Sequence, residues 1–238
     1  VKCAKVIVFY FGDRRQHSNN VQIKSILHHI LQNEKVDFGY PTDTFFVVNK
    51  SGSPLDDSLD TFDGMDTTNG KIRVIKRENI GLSFGGYIDI FNQYRNEYKY
   101  WMFLEDDVMV YKENYIKDFI DELETSDSTF IALSPISDHL SKHCGGGCGL
   151  TSTEYMGQIY TPQFVEQRLS EWSKHNGYDV AANALGKDNA EIQFTKEFVL
   201  QNHTKFSPLC VNWIQHSSQI RFKYLLKENQ EFIYKVGK

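Results

Sequence analysis

A chain of 238 residues, 40% hydrophobic and 24% charged, can bury a substantial core and is of a length that commonly forms one α/β or all-β domain. Its net charge of −5, with no block of Lys or Arg, lacks the basic face that phosphate backbones and anionic membranes require, so no nucleic-acid partner is expected. The absence of any run of about 18 or more apolar residues argues against a transmembrane segment in this chain.

The chain opens on Val1 rather than Met, which reads as a trimmed N-terminus that an anchor or targeting segment could precede. The expected location of the chain as it stands is cytoplasmic or peripheral to a membrane. Cys3, Cys144, Cys148 and Cys210 are too scattered for a disulfide framework. Cys144-Gly-Gly-Gly-Cys148 also lacks the second Cys or His pair of a zinc knuckle, so reduced thiols are expected. Asn202-His203-Thr204 matches a glycosylation sequon, a pattern short enough to arise by chance.

In chain order, Lys5 to Phe11 is β-branched and aromatic and ends at Gly12-Asp13, the pattern of a buried strand. From Ser18 to Gln32, Val21, Ile23, Ile26, Leu27, Ile30 and Leu31 recur at helical spacing. Phe45 to Asn49 predicts a second buried strand and Lys71 to Lys76 a third. Between them "SGSPLDDSLDTFDGMDTTNG" reads as a long solvated loop, because its Asp residues lack the alternation of a calcium-binding hand. A helix over Gly85 to Tyr98, a strand over Trp101 to Leu104, a helix over Glu113 to Leu123 and a strand over Phe130 to Leu133 follow. Alternating strands and helices predict an α/β sandwich with a mostly parallel central sheet.

After Pro135 the pattern loosens. It contains a Gly-rich loop (Gly145 to Gly149), an extended piece near Tyr155 to Tyr160, a helix over Pro162 to Trp172, a helix over Asn189 to Gln201 and a strand near Leu209 to Ile214. "CGGGCG" lacks the Lys-Ser/Thr ending of a P-loop and reads as a loop near a bound ligand or as plain flexible chain. The whole, residues 1–238, is expected to be one domain, with residues 1–135 as a nucleotide-binding half and residues 136–238 completing its site.

The informative stretch is "YKYWMFLEDDVMVYKENY", where a fully apolar strand runs into Glu105, Asp106 and Asp107. In an open parallel sheet, ligands sit beyond the carboxyl ends of the strands. Alternation puts Glu105 and Asp107 on one side and Asp106 on the other, and carboxylates at such an edge suit Mn²⁺ or Mg²⁺, hard ions that leave positions open for phosphate. A solvated turn is the competing reading.

"FLEDDVMV" followed by "KENYIKDFIDEL" resembles the Asp-x-Asp region of the GT-A-fold, nucleotide-sugar-dependent glycosyltransferases, in a Glu-Asp-Asp form. The resemblance covers the strand and helix order of residues 5–135 and is looser beyond. It implies a GT-A-type, Rossmann-like sandwich in which Asp107 contacts the metal and Asp106 lies near the donor ribose or sugar, with Glu105 beside them. It further implies a UDP-sugar donor and a hydroxyl acceptor on a glycan or protein. The loop after the first strand, with Tyr10 and Asp13, and the polar end of the second strand, Asn49, fall where the family holds the nucleotide base. "RENIGLSFGGY" resembles the family's Asn-x-Gly stretch beside the donor, with Asn79 offering an amide and Gly81 and Gly85 permitting close backbone approach; a turn and helix start with Ser83 as N-cap fits it equally.

"GKDNAEIQF" resembles the acidic segment that supplies the general base in inverting members, which singles out Asp188, with Glu191 as the alternative. The usual Glu-Asp pair reads Lys187-Asp188 here, and Asp188-x-x-Glu191 is also a capping box. His216 matches a late-chain His that completes the metal site. Trp101 is expected in the core, while Trp172, Trp213, Tyr155 and Tyr160 either pack or stack on sugar faces. The rival functions are a catalytically inactive sugar- or nucleotide-binding module and a sugar-phosphate nucleotidyltransferase, the latter disfavoured because no Gly-rich, Arg-containing loop follows the first strand.

Overall fold

Cys3–Tyr10 (β1) pairs in parallel with Thr42–Lys50 (β2) on one side and with Tyr100–Glu105 (β4) on the other. Ile72–Glu78 (β3) adds to β2 in parallel. The computed structural model describes residues 1–12, 28, 30–106, 108–110, 112–126, 128–132, 135–137, 142–144, 148–174 and 233–235. The six-stranded sheet has the order β3-β2-β1-β4-β9-β6, where Phe130–Ala132 is β6 and Gly149–Ser152 is β9. Only β9 runs against the rest, antiparallel to both β4 and β6. An α/β sandwich on a mostly parallel sheet is therefore what the sequence pattern predicted and what the chain forms.

The central strands are apolar on both faces, as strands covered from both sides must be. Ile7, Phe9, Phe46, Val48, Met102 and Leu104 face one layer, with Tyr115–Thr125 (α2) supplying Tyr115, Ile116, Phe119, Ile120 and Leu123. Val6, Val8, Phe45, Val47, Trp101 and Phe103 face the other, against Leu82–Tyr94 (α1), Thr153–Ile159 (α3) and Pro162–Ser173 (α4). Each of these large side chains, fully buried, contributes about 1.5–3 kcal/mol.

The sheet buries the charged side chain of Lys5 at its centre. Lys5 Nζ donates to Glu34 Oε1 at 2.7 Å and to Asn33 Oδ1 at 2.6 Å, and lies 4.3 Å from the Phe38 ring centroid. Thr44 Oγ1 donates to Glu34 Oε2 at 2.8 Å, and the Asn33 amide donates to the Val110 carbonyl. Burial lowers the Lys5 pKa from its ordinary value, with Glu34 acting in the opposite direction.

Three local expectations change. Residues 155–159 are helical, not extended: Ser152 Oγ accepts from the Tyr155 N–H at 3.2 Å, capping α3, and Met156 and Ile159 recur at helical spacing on its buried side. The first helix of the "RENIGLSFGGY" region begins at Leu82 and ends at Tyr94, with Gly81 rather than Ser83 at the N-cap position. Residues 51–70 form a largely exposed loop, as expected, but not an irregular one: they hold two 3₁₀ turns, Pro54–Asp57 and Asp60–Phe62, and their acids have partners. Asp56 accepts from the Ser51 and Gly52 N–H groups, Asp57 and Asp60 pair with Lys76, Asp63 accepts from the Val74 N–H, and Asp66 pairs with Lys71.

Two smaller pairings complete the described structure. Pro135–Ser137 (β7) pairs antiparallel with Lys142–Cys144 (β8), and Val108–Val110 (β5) pairs antiparallel with Ile233–Lys235 (β10). Cys3 and Cys148 are buried free thiols. Among the described residues, no helix is long and apolar enough to cross a membrane. The segments predicted at 189–201 and 209–214, most of the helix predicted at 18–32, and Asn202 lie outside the described residues.

Candidate active site

Parallel pairing brings the carboxyl ends of β1, β2, β3 and β4 to one edge of the sheet. Tyr10, Asn49 and Arg77 stand level across β1, β2 and β3, and Glu105 is level with Val8. Glu105 ends the buried strand and is partly exposed, while Asp106, in the turn that follows, is 4% exposed. Asp107 comes next in the chain and lies outside the described residues, as do Asp13, Asp188, Glu191 and His216. The described residues bring together Tyr10, Asn49, Asn79, Glu105 and Asp106 on the sheet edge where the sequence placed a donor site.

β5 begins immediately after Asp107, and Lys235 of β10 stands opposite Val108. A late segment of the chain is thus hydrogen-bonded beside the acidic turn. Carboxylates are the only donors the triplet offers, a set suited to an oxygen-seeking divalent ion. Among the described residues no three His, Cys, Asp or Glu side chains cluster as a metal site.

Each described candidate has a definite setting. Tyr10 is 37% exposed, and its ring covers Gly12, where a Cβ would fall 2.3 Å from the ring. Asn49 is buried, with its oxygen accepting from Arg77 Nη1 at 2.6 Å and its amide donating to the Leu82 carbonyl at 3.0 Å. Asn79 follows β3, and its Oδ1 is buried with no hydrogen-bond partner among the described residues. A buried acceptor left unpaired costs free energy that a donor group could relieve.

Gly81 and Gly85 both have protein packed closely against them. A Cβ on Gly81 would lie 2.2 Å from the Trp172 ring, and one on Gly85 1.7 Å from the Ile80 carbonyl oxygen. Trp172 and Tyr160 are 3% and 0% exposed, so of the two readings for these aromatics it is packing that holds. Tyr155 is partly buried against the core, and Trp213 lies outside the described residues.

Arg77 was not singled out in the sequence. It is 9% exposed at the end of β3. Its Nε donates to Asp89 Oδ2 at 2.9 Å, Nη1 to Asn49, and Nη2 to the Ile80 carbonyl at 3.1 Å. Burial lowers its pKa and Asp89 opposes that shift, yet a guanidinium stays charged in proteins. A signal was present: alternation along Ile72–Glu78 puts Arg77 on the same side as Ile75, which packs against the α1 layer, and a charge there needs partners.

No family profile and no curated protein sequence matches the chain. Among solved structures, it is similar to residues 1–349 of S. aureus TarS, at a TM-score of 0.43 and 12% identity, over 67% of this chain and 50% of that one. It is also similar to mouse xyloside xylosyltransferase 1 in its apo form, at a TM-score of 0.49 and 14% identity, over 90% of this chain and 86% of that one. The glycosyltransferase GlyE of Streptococcus pneumoniae TIGR4 aligns at a TM-score of 0.48 and 13% identity, over 87% of this chain and 45% of its own. The chain thus spans half of the TarS fragment and less than half of GlyE. Likeness at this level concerns the path of the chain and carries nothing about chemistry.

Proposed function

We propose that the chain is a metal-dependent, GT-A-type glycosyltransferase that moves a sugar from a nucleotide diphosphate donor, UDP-linked, to a hydroxyl of a glycan or protein, with inversion. One observation carries the reading: a strand buried on both faces, β4, ends in consecutive carboxylates at the ligand-binding edge of a parallel sheet. Residues 1–135 would hold the nucleotide sugar, and residues 136–238 would complete the acceptor and metal side.

Asp107 would hold Mn²⁺ or Mg²⁺, with His216 reaching it from late in the chain; the pairing of β10 with β5, next to Asp107, supports such an approach. Bound there, the ion would neutralise charge on the departing diphosphate. Glu105, Asp106, Asn79, Tyr10 and Asp13 would orient the donor. Asp188, or Glu191, would take the proton from the acceptor hydroxyl as its oxygen bonds to the anomeric carbon and the bond from that carbon to the phosphate oxygen breaks. The nucleoside diphosphate leaves with the electron pair.

The test is a panel of nucleotide sugars, each with and without Mn²⁺, read by release of nucleoside diphosphate and by thermal stabilisation. Metal-dependent release from one donor, increased by a hydroxyl acceptor, is the expected result. Stabilisation without any turnover would instead favour a binding module, and production of a nucleotide sugar from sugar phosphate would favour a nucleotidyltransferase.

A further inference from the structure

The stretch between β3 and α1 is strained where it meets the sheet edge. Gly81 has φ +72° and Leu82, which has a Cβ, has φ +53°. An L-residue other than Gly, Asn or Asp in this left-handed region costs roughly 1–2 kcal/mol and persists only where its surroundings impose it. Here they do so from below. The Leu82 carbonyl accepts from the Asn49 amide at 3.0 Å, and the Ile80 carbonyl accepts from Arg77 Nη2 at 3.1 Å.

The two clamps are linked, because Arg77 Nη1 donates to Asn49 Oδ1 at 2.6 Å. That bond fixes which end of the Asn49 amide faces Arg77, and so which end faces Leu82. An amide turned over would set N–H against N–H and carbonyl against carbonyl. Only a guanidinium fork serves both carbonyl oxygens and Asp89 at once; an ammonium cannot hold this geometry. Asn79, whose buried oxygen has no hydrogen-bond partner among the described residues, sits directly before Ile80.

We propose that Arg77 is a positioning residue that, through Asn49 and the Ile80 carbonyl, holds residues 79–82 in their strained form at the donor edge. This rests on the reading under Proposed function and gives Asn49 a different part in it: the side chain shapes the donor loop from beneath and does not read the base. Arg77 makes two separable sets of contacts, since its Nε–Asp89 pair ties β3 to α1 while its Nη bonds tie down the loop.

The experiment compares Arg77→Lys, Asn49→Asp and Asp89→Asn by amide hydrogen exchange across residues 79–83, with strand β1 as internal reference, and by titration with UDP and Mn²⁺. Asn49→Asp keeps the oxygen that faces Arg77 and removes the donor to Leu82. The expected result is a tenfold or greater loss of loop protection and a tenfold or greater rise in Kd for UDP in Arg77→Lys and Asn49→Asp. Asp89→Asn should lower the melting temperature while leaving both loop readouts at wild-type values. Loop exchange in Arg77→Lys that matches wild type, or matches Asp89→Asn, overturns the proposal. Wild-type protein that binds no UDP, with or without Mn²⁺, overturns the donor reading alone, and the exchange comparison still decides whether Arg77 holds the loop.

Discussion

Lys5 and Glu34 form an ion pair 2.7 Å long whose side chains are 0% and 4% exposed, under the middle of the sheet. Removing one member of a buried pair leaves the other uncompensated and costs about 3–5 kcal/mol, whereas removing both charges is often close to neutral. Lys5→Met should therefore lower unfolding free energy by about that amount in urea titrations, and Lys5→Met combined with Glu34→Gln should regain most of it. A loss from the single substitution no larger than that of a surface pair would show that the interior tolerates the lone carboxylate. Because the folded Lys5 pKa lies below its unfolded value, the unfolded chain binds the extra proton between the two, so this group makes stability rise with pH across the interval that separates them.

Asp43 gives the opposite limb. Burial alone would raise its pKa, but the Lys71 N–H, the Tyr98 hydroxyl and Lys2 outweigh it and hold the carboxyl below its ordinary value. A depressed folded pKa means the stabilisation is complete above the unfolded value of about 3.9 and is lost as pH falls through the folded one. Asp43→Asn should flatten the acid side of the stability profile below about pH 4. An unchanged acid limb would assign acid unfolding to other groups.

Gly81→Ala and Gly64→Ala separate backbone strain from crowding. Both glycines have positive φ, +72° and +78°, but a Cβ on Gly64 meets nothing within 4 Å, whereas one on Gly81 would overlap the Trp172 ring. Gly64→Ala should cost about 1–2 kcal/mol, and Gly81→Ala about 1–3 kcal/mol more from overpacking. Equal melting temperatures for the two variants would mean that Trp172 yields freely.

Asp107→Asn tests the metal assignment. It should leave the melting temperature of the ligand-free protein unchanged and abolish the Mn²⁺-dependent part of UDP binding. Binding that is the same with Mn²⁺ and with EDTA in the wild type would remove the metal from the reading.

Asp188→Asn tests the base, because Asn caps a helix as well as Asp but cannot accept the proton. Turnover should fall by roughly 10²–10⁴ at unchanged donor affinity, whereas a lost cap would cost only about 0.5–2 kcal/mol of stability. Wild-type turnover in Asp188→Asn, with collapse in Glu191→Gln, would move the role three residues along.

The parallel half of the fold was legible because β1, β2 and β4 are apolar on both faces, and runs such as Lys5 to Phe11 have little alternative to a covered strand. The acid-bearing edge was legible for the same reason, since Glu105 follows the last buried residue of β4 directly. β9 was not. Gly149–Ser152 has one large apolar side chain, Leu150, and becomes a strand because β4 and β6 each offer it a ladder. The Arg77, Asn49 and Leu82 clamp was hidden too, because a Leu at positive φ has no sequence signature and the polar groups that impose it come from two strands 28 positions apart.

The reversal of β9 also fixes where length can vary. β6 runs with β4 and ends at Ala132, β9 starts against it at Gly149, and both of those positions are level with Phe103, two residues before Glu105. The connection from Ala132 to Gly149, which carries the β7–β8 pair, therefore leaves and rejoins the sheet at the same level, near its acidic margin. Added chain in a closed loop costs only about 0.6 kcal/mol per doubling of its length. An insertion between Ser137 and Lys142 would thus be nearly free for the core, yet it would lengthen a connection whose two ends both stand level with the strand that leads into Glu105.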